Sequence, residues 1–167
     1  MSVIVGDAAP VVAVEAYVRD AAQPVEMEVG GPCDSWTVLF FYPRDFTFLC
    51  PVELRGFADL QASFALEGAS VMAASTDSWH VHRAWLETSS GLTGIRYPVL
   101  ADPAQELTRA YGVLNVDDGS ALPATFIIDP SGTVRDMRMA GPGTRRRPEE
   151  TLEALRELRI GELQAVA

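Results

Sequence analysis

Residues 36–42, WTVLFFY, constrain the fold more than any other stretch of this chain. The run is too short for a helix, lacks polar alternation and is rich in aromatic and β-branched side chains, so it predicts a strand buried on both faces. Such a strand needs helices to cover it. Pro43 ends the run. After a loop, Pro51 stands where the first turn of a helix would begin, with Leu54, Phe57, Ala58 and Phe64 at roughly helical spacing and Gly68 as the stop.

The flanking segments supply the rest of a sheet. Residues 11–18 and 25–29 surround a polar turn and predict an antiparallel hairpin. Residues 71–75 predict a second short buried strand, 79–88 a helix and 97–100 a short strand. Asp102-Pro103-Ala104-Gln105 reads as an N-cap, a proline at the first helical position and a glutamine three residues on, with Gly112 as the stop. Residues 125–129 and 134–139 flank Pro130-Ser131-Gly132 as a hairpin, and 149–160 predict a closing helix. Strands and helices alternate, so the expected fold class is α/β with a thioredoxin-like outline: a central mixed sheet, helices on both faces and an N-terminal β-hairpin. A length of 167 residues, 48% of them hydrophobic, suits one domain spanning 1–167 whose core needs neither disulfides nor a structural metal.

Charge removes several function classes. All thirteen basic residues are arginine and the net charge is −10. Without lysine there is no Schiff base, no lysine general base and no P-loop lysine. An acidic chain without a broad basic face is not expected to bind nucleic acid or an anionic membrane, and Arg145-Arg146-Arg147 reads as a solvated loop before a helix. The N-terminus carries neither a signal peptide's basic region nor its apolar core, so a cytoplasmic location is expected. Cys33 and Cys50 form no Cys-x-x-Cys pair, and in a reducing compartment they read as free thiols. With His80 and His82 the only imidazoles, neither metal nor other cofactor is expected.

Cys50 is the residue with chemistry to offer. It opens a predicted helix, where unpaired N–H groups and partial positive charge favour a thiolate. A buried, inert cysteine fits the same position equally well. Thr47, three residues earlier, can donate to the sulfur or to a substrate oxygen, or be satisfied by backbone. Glu53, three residues later, would raise the thiol pKa if it faced sulfur bare, so it suits a helix cap or an arginine partner better.

The string FYPRDFTFLCPVE, residues 41–53, closely resembles the active-site segment of the peroxiredoxins, with its Pro-x-x-x-Thr-x-x-Cys pattern at Pro43, Thr47 and Cys50. Ser75-Thr76-Asp77-Ser78, His82 and Trp85 resemble that family's next segment, and residues 97–102 and 125–129 its later strands; these segments point to the subgroup of the bacterial alkyl hydroperoxide reductase catalytic subunit. The resemblance implies a thiol peroxidase. Cys50 would attack a hydrogen peroxide or organic hydroperoxide oxygen and become a sulfenic acid, while Pro43 shields the site and Thr47 binds substrate. It also implies an external thiol reductant, thioredoxin-like or of low molecular weight, and a homodimer or ring of dimers. His82 matches a family position but reads as a structural, hydrogen-bonded histidine.

Two departures stand out. The family carries an arginine just before its Phe-Ile-Ile-Asp strand, and here that place is held by Pro123, which can neither donate nor supply charge. Pro123 could instead be the cis-proline of other thioredoxin-like oxidoreductases. A second family arginine matches Arg146, which could pair with Glu53 or simply be solvated, whereas Arg44 reads as an exposed loop residue. The other departure is the resolving cysteine, which many relatives carry on a C-terminal arm, whereas this sequence ends at Ala167. Cys33 is expected at the far end of the sheet from Cys50 and is not expected to resolve it, which leaves a one-cysteine cycle with the resolving thiol unknown. The missing arginine keeps two alternatives open: a thiol enzyme diverted to a non-peroxide substrate, and a non-catalytic redox sensor.

Overall fold

A computed structural model describes residues 2–48, 50–141 and 144–166. Its seven strands are β1 (Val12–Tyr17), β2 (Val25–Val29), β3 (Trp36–Phe41), β4 (Ala69–Ser75), β5 (Val99–Ala101), β6 (Ala124–Ile128) and β7 (Val134–Met139). They form one sheet in the order β2-β1-β5-β4-β3-β6-β7. β3 and β5 run parallel to β4, and every other pairing is antiparallel, so the sheet is mixed. The helices are α1 (Cys50–Asp59), α2 (Gln61–Leu66), α3 (Trp79–Thr88), α4 (Glu106–Ala110) and α5 (Pro148–Val166).

β3 is buried at every residue, and its alternation divides the core in two. Val38 and Phe40 join Leu54, Phe57, Trp85 and Tyr97 on one side, whereas Leu39 and Phe41 join Leu107, Tyr111 and Phe126 on the other. A strand apolar on both faces is the consequence of having helices on both. Phe40 stacks on Phe57 of α1 with centroids 4.1 Å apart, which seats α1 over the end of β3 and fixes where Cys50 emerges.

Some expected boundaries move. The helix opening at Cys50 is interrupted at Leu60 before α2, and Gly68, at φ +72°, ends the pair. Pro103 is not the first residue of α4, which begins at Glu106 after Gln105 adopts φ +61°. Asp102 still serves that helix, because its carboxylate accepts from the backbone N–H of Leu107 and Thr108 across the turn. The last helix starts at Pro148 and runs to Val166, beyond the expected residue 160.

Candidate active site

Cys50 is the first residue of α1, 5% exposed, in the loop-to-helix junction that follows β3. Its sulfur opens on a cleft of about 530 Å³ whose walls include Pro43, Thr47, Phe48, Glu53, Leu122 and Pro123. The loop after β3 and the segment before β6 face each other here because β3 and β6 are antiparallel neighbours, with Phe41 opposite Ala124. Residues eighty positions apart in sequence thus share one wall system.

Thr47 Oγ1 has a single proton and two claimants. It donates to the Arg44 carbonyl at 3.2 Å, and turned toward the sulfur it stabilises the thiolate. Burial nevertheless pushes the Cys50 thiol above its ordinary pKa. Thr47, the Arg44 backbone and the Arg146 charge pull it down, Glu53 opposes them, and desolvation is the largest contribution. Desolvation of this buried thiol thus works against the thiolate that a helix N-terminus favours.

Arg146 is the cation nearest this chemistry in role. Its Nη2 and Nε donate to Glu53 Oε2 at 2.8 and 3.2 Å, and its backbone N–H donates to Oε1 at 2.9 Å. Nη1 donates to the Ala124 carbonyl at 2.9 Å, and the guanidinium lies 5.3 Å from the Phe40 ring centroid. Both side chains are more than nine-tenths buried. Glu53 is thus an arginine clamp rather than a bare acid beside sulfur. The approach depends on Gly56, where an added Cβ would lie 2.9 Å from Pro148 Cγ.

Pro123 lines the cleft, and among the described residues no peptide bond is cis, so the cis-proline alternative falls. Among the described residues no arginine lines this cleft in place of the missing one. Arg44 is exposed and donates to the Asp118 carbonyl at 2.6 Å. Cys33 is an exposed free thiol three residues before β3, while Cys50 follows the far end of that strand. A six-residue strand spans about 20 Å, well beyond disulfide reach.

Sequence reasoning read His82 as a structural, hydrogen-bonded histidine but missed the network around it that holds the active-site loop. Asp45 accepts from Tyr42 Oη at 2.6 Å, and its backbone N–H donates to Asp77 at 2.9 Å. His82 Nε2 donates to the Leu100 carbonyl at 2.9 Å, while Nδ1 lies 2.6 Å from Asp45 Oδ2. Asp45, Asp77 and His82 lie close enough to hold a metal ion, yet both Asp45 oxygens and Asp77 Oδ2 are already engaged by hydrogen bonds with Tyr42, His82, Ser75 and the Asp45 backbone. The cluster is a hydrogen-bonded clamp. Its sequence signal was an acid inside the loop between Pro43 and Cys50, together with a histidine on a buried helix face.

Comparison with known proteins gives this geometry its context. The model of the AhpC/TSA family matches residues 5–137. The chain belongs to the AhpC/TSA family. It is a peroxiredoxin, a thiol peroxidase with a thioredoxin-like fold. Peroxiredoxin tpx1 of Schizosaccharomyces pombe is 38% identical over 158 residues, covering 93% of this chain and 81% of the relative. The thioredoxin peroxidase of Echinococcus granulosus is 38% identical over 159 residues, with the same coverage. The structure of Mycobacterium tuberculosis AhpC superposes with a TM-score of 0.88 at 31% identity, covering 98% of this chain and 97% of that one. The diverted enzyme and the redox sensor find no support among these relatives of the peroxiredoxin. Among its described residues, no helix is long and apolar enough to cross a membrane.

Proposed function

We propose that this peroxiredoxin reduces hydrogen peroxide or an organic hydroperoxide at Cys50 in a one-cysteine cycle closed by an external thiol. The observation that carries the reading is a lone thiol at the start of α1, with the Thr47 hydroxyl beside it, opening on a cleft that Cys33 cannot reach. The Cys50 thiolate attacks the terminal peroxide oxygen; an S–O bond forms, the O–O bond breaks, and water or an alcohol leaves with the proton. Sulfur is oxidised by two electrons to a sulfenic acid. An external thiol then displaces water, forming a mixed disulfide, and a second thiol releases Cys50 as the reductant becomes a disulfide.

In this cycle Thr47 holds the peroxide and steadies the thiolate, while Pro43 limits access of water to the sulfur. Glu53 and Arg146 act as positioning residues for α1 and for charge near Cys50. The reductant is thioredoxin-like or a small thiol, the assembly a homodimer or ring of dimers, and the compartment the cytoplasm, where such reductants are plentiful. The test is the second-order rate of sulfenic acid formation on the reduced protein with hydrogen peroxide, located by mass spectrometry with Cys50→Ser as the blank. A rate far above that of free cysteine is expected, and one no better sinks the reading. Sustained consumption with an added thiol in Cys33→Ser separates the one-cysteine cycle from one resolved by Cys33.

A further inference from the structure

Beside the thiol cleft lies a smaller hollow whose lining includes Arg138, Arg145, Arg146, Arg147, Thr144 and Glu150. Ala140 and Thr144 belong to the walls of both, so the two spaces adjoin. Four of the thirteen arginines of a chain with net charge −10 gather here. Their counter-charges do not match them. Arg146 is taken by Glu53, and Arg138 Nε lies 3.0 Å from Asp136. Glu150 stands 3.9 Å from both Arg138 and Arg147, and Arg145 has no acidic partner among the described residues.

The adjoining cleft has the opposite character. Phe48, Ala121, Leu122 and Pro123 give it an apolar wall, and its volume of about 530 Å³ far exceeds what hydrogen peroxide fills, a water occupying about 30 Å³. Apolar length ending in under-compensated guanidinium groups suits an amphipathic anion, because the guanidinium fork matches a carboxylate. We propose that the hollow is an anion subsite selecting hydroperoxides that carry a carboxylate at the end of an apolar chain. The peroxide group meets Cys50, the chain runs along Leu122 and Pro123, and the carboxylate lies on Arg145 and Arg147, unchanged by the reaction. This assignment rests on the peroxidase reading; contacts remote from the sulfur contribute to holding the peroxide in place.

The test compares linoleic acid hydroperoxide with its methyl ester, below their micelle concentrations, as rates of Cys50 oxidation divided by the hydrogen peroxide rate of the same protein. The acid is expected to exceed the ester by about tenfold or more. In the double variant Arg145→Ala/Arg147→Ala, and in molar salt, the ratio should fall toward one. A ratio near one in the unaltered protein, or one that survives the double variant, overturns the subsite while leaving the peroxidase reading intact. If a carboxylate-bearing thiol then resolves the sulfenic acid faster than its ester, the arginines serve the reductant and the hydroperoxide assignment is overturned. If no hydroperoxide oxidises Cys50, both readings fall together.

Discussion

Glu53 and Arg146 stand 93 positions apart in sequence and meet in a pair with Nη2 and Oε2 at 2.8 Å, both side chains buried. The pair joins α1, the helix that Cys50 opens, to the segment before α5. Removing one member leaves an uncompensated buried charge, so Arg146→Ala should destabilise the fold by about 3–5 kcal/mol. Because Arg146 also pulls the Cys50 pKa down, the variant should hold a smaller thiolate fraction at neutral pH. Urea unfolding and thiol titration by ultraviolet absorbance check the two parts separately.

Gly56 makes that pair accessible. Replacing a helical glycine by alanine ordinarily gains up to about 1 kcal/mol of helix propensity. Here the new Cβ would meet the rigid Pro148 ring at 2.9 Å. Gly56→Ala should therefore lower the urea midpoint and slow Cys50 oxidation, since Pro148 leads directly back to Arg146. A raised midpoint with unchanged oxidation would show that the contact has room to yield.

Pro123 faces the cleft where the family's arginine stands. Pro123→Arg should lower the Cys50 pKa and accelerate oxidation by hydrogen peroxide by roughly ten- to a hundredfold, the worth of one charge-assisted hydrogen bond. Pro123 accepts through its carbonyl from Ala140, a bond the substitution keeps. Stopped-flow fluorescence of the reduced protein reads the change, and an unaltered rate argues against a site weakened by the loss of that arginine.

The pH dependence follows from burial. With the Cys50 thiol pushed above its ordinary pKa, the native protein holds its proton where the unfolded chain releases it. Stability from this group is thus complete below the unfolded pKa and is lost as pH rises through the folded pKa. The oxidation rate should rise about tenfold per pH unit through neutrality, in step with the thiolate fraction. A plateau already reached at pH 6 contradicts the raised pKa.

The sequence determined much of this protein through local signals. The apolar run ending at Pro43 predicted β3, the helix start placed Cys50 at an N-terminus, and the active-site string carried the family resemblance. Backbone propensity and side-chain pattern act over a few residues, which is why such features were legible. The strand order, the meeting of Arg146 with Glu53, the Tyr42, Asp45 and His82 clamp, and the arginine hollow beside the cleft depend on contacts between distant segments. The direction of the Cys50 pKa belongs with them, because desolvation is set by everything packed around the sulfur. A helix N-terminus can be read along the chain, but how deeply it is buried is decided only when the sheet and its helices close around it.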